Sequence, residues 1–550
     1  MYQVNIEFLR VQTFLFAVPR LRNMVGANVL IGEMIRRDLP QLAEKYGNQI
    51  KLEIPKNLQF TASCDDPLNK SSFIDEKDKD DPIALYKRGI LRRDGGHFSA
   101  LFEEEKQAEA FQQAARNKLR RELLGLRFEM SCHEFGTQSE TQQISAVNQQ
   151  LIELPQLQVC QVSGNGPAVE TEKQDDDSEK IYISASAHQA KKKGNRFFAA
   201  LRGNKEEQTH DMVGLLSHTL PLGGKKEPTD FQDLCGNDYM AVIHADGNSI
   251  GQRYKAYRNT TIPKNISKLE QEMYGEEFFY SMRVVVRCAL KEALYAVFKE
   301  PQFEYSPYQI LMLGGDDLLM ICRAKQAFDF IIEYDKALQN KKLADKQPLT
   351  IGAGIVIASP NLPFYHLHHL AESLASSAKQ LFRSQPEDQQ TSVVDWIVST
   401  QAWVDDPIAL RRKQSLVHYE VDGQPETLRL NNRPYQILGD DLNALECLWN
   451  RAQELEAKIS GQKAARSQLR QLVVELEQGR HWANLAALGL PLKTQQALEN
   501  VKVLKRLEND VSLWNNKEGN DYYTALADLI ELYEIHNLKR EEQQRKKVKK

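Results

Sequence analysis

The chain has 550 residues and a formal net charge of −4, from 71 Lys and Arg against 75 Asp and Glu. It is long enough for three or four domains with cores of their own, and its charge balance excludes a globally basic nucleic-acid binder, so any such contact must come from local patches. Seven cysteines without a Cys-x-x-Cys pair exclude a disulfide framework and point to a reducing compartment. No apolar run reaches the ~18 residues of a membrane span, and the run Phe14–Val18 stops at Pro19, too short for a secretory core; the expectation is a soluble cytoplasmic protein with no membrane partner.

In chain order, the N-terminus carries Val11-Gln12-Thr13-Phe14-Leu15-Phe16, Arg20-Leu21-Arg22 and Gly26-Ala27-Asn28-Val29-Leu30. Gly95-Gly96-His97-Phe98 follows, leading into Lys106-Gln107-Ala108 and Phe111. The stretch from Pro155 to Leu234 is mixed. Within it, the acidic run Glu170 to Glu179 reads as a flexible loop, and Lys191-Lys192-Lys193 is a local basic patch. Tyr239 to Ala245 is an apolar strand that ends in Asp246-Gly247-Asn248-Ser249, and a long helical pattern runs from about Leu269 to Phe298. Then come two apolar runs joined by Gly314-Gly315-Asp316-Asp317, read as buried strands around a glycine turn. Thr350–Ile357 is a further strand. Leu367, Leu370, Ala371, Leu374, Ala375, Ala378 and Phe382 fit one helical stripe, with Lys379 riding on that helix. Val393–Val398 is another strand. Arg411-Arg412-Lys413 is a second basic patch. Leu445, Leu448, Leu455, Leu469, Leu472, Val473 and Leu476 indicate a small helical bundle. The Lys- and Arg-rich tail from Lys539 to Lys550 reads first as a solvated end.

The chemistry lies in Asp246, Asp316 and Asp317. Strand, helix and antiparallel hairpin is the order of a ferredoxin-like palm, which brings the strand end and the hairpin tip together. Adjacent carboxylates repel unless a cation lies between them, and Mg²⁺ binds through one or two carboxylates plus substrate phosphates. Such a metal activates a ribose 3′-hydroxyl and stabilises leaving pyrophosphate in an in-line displacement. Asp-Gly-Asn alone is a plain turn, and Gly-Gly-Asp-Asp alone is a hairpin tip; their order and spacing together carry the inference. From spacing alone, Lys379 is a solvated charge.

These segments, with Asn431-Asn432-Arg433-Pro434-Tyr435, resemble the large palm-domain subunit of type III CRISPR effector complexes, a relative of the diguanylate cyclases. The resemblance covers most of residues 1–440. It implies two palms, and residues 95–111 can be laid on 314–330 at a constant offset of 219, with six of seventeen positions identical. His97 and Phe98 then replace the two carboxylates, so the first palm reads as a degenerate copy that cannot hold the same oxygen-ligand site. Two features of many relatives are missing. No His-Asp pair precedes the first palm, so the HD nuclease is not expected. Ser163, Ser184 and Ala187 stand where zinc thiolates would be, and Cys160 with His188 falls short of four ligands, so no zinc is expected. Asn248 replaces a second acid, which leaves Asp246 as the sole carboxylate on the first strand.

The expectation is an α+β chain of two ferredoxin-like palms, a small inter-palm module and a C-terminal helical bundle. The segments are a degenerate first palm (1–148), a linker module with a zinc-finger remnant (149–234), a catalytic second palm (235–438) and a helical domain with a basic tail (439–550). The resemblance implies a nucleotidyltransferase that makes short or cyclic oligoadenylate from ATP. Asp246, Asp316 and Asp317 would hold Mg²⁺ or Mn²⁺. Gly247, Asn248, Ser249, Gly314, Gly315 and Lys379 would contact the nucleotide. It also implies small protein subunits, a guide RNA and a target RNA as partners. Two rivals remain: a free-standing defence signalling cyclase, and a catalytically silent scaffold subunit of an RNA-guided complex.

Overall fold

The computed structural model describes residues 1–47, 52–70, 74–136, 158–164, 166–173, 180–201, 209–236, 238–299, 303–399, 406–421, 423–459, 463–507 and 510–537. Two sheets share one four-strand order. In the first, β1 (Tyr2–Leu9) alternates so that Val4, Ile6 and Phe8 are buried, the period of a strand with one face on a core. The helices α1 (Val11–Leu15) and α2 (Leu21–Glu33) follow it. Next come the hairpin strands β2 (Ile90–Arg92) and β3 (His97–Phe102), helix α3 (Glu105–Glu122) and strand β4 (Arg127–Glu134). The order across the sheet is β2-β3-β1-β4. A capping box of Glu104 and Gln107 starts α3, which buries Ala108, Phe111, Ala115 and Leu119 as one stripe.

A small module follows. Its strands β5 (Glu170–Lys173) and β6 (Lys180–Ile183) pair antiparallel, and α4 (Ala185–Leu201) packs on α2. The acidic run read as a loop therefore begins as a strand, a correction with an electrostatic cause. Glu172 Oε2 lies 2.5 Å from Lys191 Nζ and its Oε1 lies 3.2 Å from His188 Nδ1, so part of the run's charge is neutralised. Residues 174–179 and the basic tail lie outside the described residues. Cys160 is buried against Val18, Ile183 and Ala187. Burial raises its thiol, but hydrogen bonds with Ser163 and Ser184 outweigh this and bring it to about 7. Ser163, Ser184 and Ala187 thus gather around Cys160, while the His188 ring faces Glu170 and Glu172.

The second sheet is built from β7 (Met240–Gly247), α5 (Ile250–Thr261), α6 (Lys268–Phe298), the hairpin β8 (Tyr308–Gly314) and β9 (Asp317–Arg323), α7 (Ala324–Gln339), β10 (Ile351–Ala358), α8 (Phe364–Ser384) and β11 (Val393–Ser399). Its order is β8-β9-β7-β10-β11, with Tyr435–Gln436 on the far edge. The first four strands repeat the arrangement of the first sheet. Every residue of β10 is buried, so both faces are covered. A buried ion cluster ties α6 to the loop before β2: Arg287 reaches Asp66 at 2.7 and 3.0 Å and Asp80 at 2.8 Å, and Arg283 reaches Asp80 at 3.0 Å.

Beyond β11, α9 (Pro407–Gln414) precedes the hairpin β12 (Leu416–Val421) and β13 (Gln424–Arg429). The helical periodicity of the C-terminal region is realised as α10 (Leu445–Ile459), α11 (Lys463–Glu475), α12 (Arg480–Leu488), α13 (Leu492–Asn500) and α14 (Leu526–His536). Two short strands, β14 (Asn515–Glu518) and β15 (Asp521–Tyr523), join the earlier hairpin in the order β12-β13-β15-β14. The Asn431–Tyr435 segment latches α14 to the second sheet: Arg433 donates to Glu531 at 2.8 Å and Tyr435 to Asp528 at 2.6 Å. Among the described residues, no helix is long and apolar enough to cross a membrane.

Candidate active site

The site lies where β7 ends against the β8–β9 hairpin. Leu318 of β9 pairs with Ala245 of β7, so one step further along the register Asp317 stands beside Asp246. The hairpin turns on two residues, Gly315 and Asp316, between the pair Gly314 and Asp317, and Gly315 takes φ +62°, which a glycine adopts freely. Gly247 admits the carboxylate of Asp316: a Cβ there would lie 2.6 Å from its Oδ2.

Crowding marks the carboxylates. Asp316 is pushed up to about 6, first by burial and then by the charge of Asp246, with the Asp317 charge and a side-chain hydrogen bond to Asp246 adding to it. Asp317 is turned differently. Its Oδ1 is fully buried, 3.0 Å from His244 Nε2 in an ion-pair contact too bent for a well-directed hydrogen bond. Burial lowers the basicity of His244, but Asp317 outweighs it, with Glu372 and Asp246 contributing, and the imidazole is raised. His368 of α8 stands edge-on to His244 with ring centroids 6.0 Å apart, and burial and then the charge of His244 push it down to about 3. Asp246 and Asp316 thus meet, Asp317 lies against His244, and among the described residues no three acidic, imidazole or thiolate side chains converge as a finished ligand set.

Lys379 is not the solvated charge that its spacing suggests. Its stem crosses Gly352, where a Cβ would lie 2.5 Å from its Cγ. Its ammonium then pairs with Asp246 Oδ2 and donates to the Gly247 carbonyl at 3.1 Å. A cation of this chain already lies on two oxygens of the strand end, so the donor set fits a hard divalent cation. Asn248 is buried, with its N–H donating to the Thr350 carbonyl at 2.9 Å and its Oδ1 beside the position a Gly352 side chain would take. Ser249 is exposed and held at φ +56° at the start of α5, without capping it; backbone strain of this kind gathers at ligand sites. Arg253 fixes α5 through two 2.9 Å bonds to Asp345 and one to the Pro348 carbonyl. The first palm reaches α8, the helix that carries Lys379, as Gln12 donates to Glu372 at 2.5 Å and Phe16 packs on His368 with centroids 4.5 Å apart. His244 and Arg253 escaped the sequence reading; a lone histidine in an apolar strand, two residues before Asp246, was the available signal for the first.

Four members of the described basic patches are already engaged. Lys191 pairs with Glu172, Lys193 with Glu33, Arg411 with Asp395 at 2.7 Å, and Arg412 donates to Ser377 at 3.1 Å.

Strand order and site together define a palm domain of the kind shared by nucleotide cyclases and polymerases. Residues 239–385 match the family model of Cas10/Cmr2, second palm domain, and the chain thus carries a Cas10-like second palm. No curated protein matches the sequence. Among solved structures, a Csm1–Csm4 cassette in complex with cA4 is 12% identical over 97% of this chain and 69% of its own, with a TM-score of 0.48. A cassette in complex with cA3 is 13% identical over 91% and 69%, with a TM-score of 0.46. Csm1 of T. onnurineus is 12% identical over 91% and 64%, with a TM-score of 0.41.

Proposed function

We propose that the second palm is a metal-dependent nucleotidyltransferase that joins ATP into short or cyclic oligoadenylates. The observation that carries this is the meeting of Asp246 and Asp316 at the hairpin tip, with Asp316 raised to about 6 and Asp317 beside them. A group of carboxylates that destabilise one another has a use when a cation joins them. Asp246, Asp316 and Asp317 would hold Mg²⁺ or Mn²⁺, which supplies charge stabilisation at the phosphate oxygens. A ribose hydroxyl gives its proton to water as its oxygen forms a bond to the α-phosphorus of a second ATP, the bond from that phosphorus to the β-phosphate oxygen breaks, and pyrophosphate leaves. Gly247, Gly314 and Gly315 let the nucleotide approach the backbone. Ser249 and the first-turn N–H groups of α5 receive phosphate oxygens, and Lys379 passes from Asp246 to phosphate as its counter-charge. Asn248 anchors the turn through Thr350.

Adenine preference, small protein subunits, a guide RNA and an activating target RNA extend the proposal through the Cas10/Cmr2 match. The test is mass spectrometry of products from ATP with Mg²⁺ or Mn²⁺. It uses protein purified with its copurifying subunits and RNA, beside an Asp316→Ala/Asp317→Ala variant. Oligoadenylate from the wild type alone supports the proposal. No product from any nucleoside triphosphate, with matching target RNA present, rejects it in favour of a scaffold. Product without RNA or subunits favours a free-standing cyclase.

A further inference from the structure

We propose that His244 is a positioning residue for Asp317: its Nε2, 3.0 Å from Oδ1, keeps that oxygen turned inward and leaves the opposite carboxylate oxygen for the cation. The inference rests on the nucleotidyltransferase reading of the site. His244 is the one ionisable side chain in the buried run Met240–Ala245 and is itself 7% exposed. Its Nε2 lies 3.0 Å from Asp317 Oδ1, an oxygen with no access to water. A buried charged oxygen left without a partner is costly. Without the imidazole, the carboxylate would turn that oxygen outward, which removes the geometry a cation needs. His368 backs the imidazole from α8, so the ring has a fixed seat.

The first palm supplies an internal comparison. At the offset of 219, Ser99 corresponds to Leu318 and Ala100 to Leu319. Ser99 pairs with Asn5 and Ala100 with Val4, where Leu318 pairs with Ala245 and Leu319 with His244. Val4 therefore stands in the place of His244, Ile6 in that of Asp246 and Phe98 in that of Asp317. Where the carboxylates are replaced by apolar side chains, the imidazole is replaced as well, although a valine fits that strand position without loss of burial. A histidine kept only for packing has no reason to follow the carboxylates.

The experiment titrates the full-length protein with Mn²⁺ alone, following free Mn²⁺ by electron paramagnetic resonance. Wild type is compared with Asp317→Asn, His244→Leu, His244→Gln and His244→Asn. The glutamine amide reaches the Nε2 position, and the asparagine amide reaches only the Nδ1 position. Asp317→Asn tests the site itself and is expected to weaken Mn²⁺ binding at least tenfold. His244→Leu is expected to weaken it about 10- to 100-fold, the usual effect of losing a partner of a metal ligand. His244→Gln restores most of the affinity and His244→Asn does not. Wild-type affinity in His244→Leu, or equal losses in the glutamine and asparagine variants, would overturn the positioning role while the site stands. Equal binding by wild type and Asp317→Asn, or none by either, would overturn both. Should the leucine variant fail to fold, the glutamine–asparagine comparison decides alone.

Discussion

Replacing Asp316 with asparagine is expected to stabilise the protein at neutral pH while removing the proposed nucleotidyltransferase activity. In the folded chain the Asp316 carboxyl rises from 3.8 to about 6, by burial and by the neighbouring Asp246 charge. At about 1.4 kcal/mol per pH unit this amounts to ~3 kcal/mol of destabilisation once the group is ionised. The folded state binds the proton more tightly than the unfolded chain, so the cost is absent below about pH 4, grows between 3.8 and about 6, and is complete above that. Asparagine keeps the shape and removes the charge. For a palm-sized domain, a gain of that order raises the melting temperature by ~6–12 °C. The assay is thermal unfolding of wild type and variant in EDTA at pH 4 and pH 7.5. The gain should be present at pH 7.5 and missing at pH 4, and Mn²⁺ should raise the wild type towards the variant. An equal gain at both pH values would show better packing rather than relief of charge, and no gain at pH 7.5 would show that the carboxylates are not in conflict.

Three further outcomes are expected. Gly247→Ala places a Cβ 2.6 Å from Asp316 Oδ2, which displaces the carboxylate; product formation should fall at least 100-fold in the ATP assay at a stability cost of ~1–3 kcal/mol. Arg287→Met leaves Asp66 and Asp80 buried with one guanidinium fewer and should cost ~3–5 kcal/mol, read by chemical denaturation. Phe98→Asp puts a carboxylate into a core position that is 1% exposed. It should lose more than the ~3–5 kcal/mol of a phenyl truncation and add no second Mn²⁺ site in the resonance titration, because Ile6 and Val4 stand where Asp246 and His244 would be needed.

The parts legible in the sequence are those where one physical signal dominates. The β8–β9 hairpin and β7 are apolar runs bounded by glycine, and α8 keeps its stripe from Leu367 to Phe382 without interruption. The offset of 219 placed His97 and Phe98 on a hairpin strand followed by a helix, and β3 and α3 lie there. What escaped was set by partners distant in sequence. β14 reads Asn-Asn-Lys-Glu and is mostly exposed, so it has no apolar alternation to declare a strand; its pairing comes from β15. Lys379 looked solvated because helical spacing says nothing of Gly352 beneath its stem. His244 was one polar residue in an apolar run, and only the folded sheet, with β7 beside β9, brings it to Asp317 Oδ1.

That register also bears on the choice between enzyme and scaffold. The chain contains two versions of one four-strand sheet. The first version carries Val4, Ile6 and Phe98 at the three positions, all buried and apolar, which is what stability alone favours. The second carries His244, Asp246 and Asp317, with Asp316 at the turn and Lys379 brought across Gly352 to meet them. Each of these polar groups lowers the stability of its own sheet unless the others are present, so the set has little value piece by piece. A subunit needed only for assembly would be served by the apolar version twice. The polar version, complete with a buried imidazole behind one carboxylate, weighs toward a palm that binds a cation and works on a phosphate.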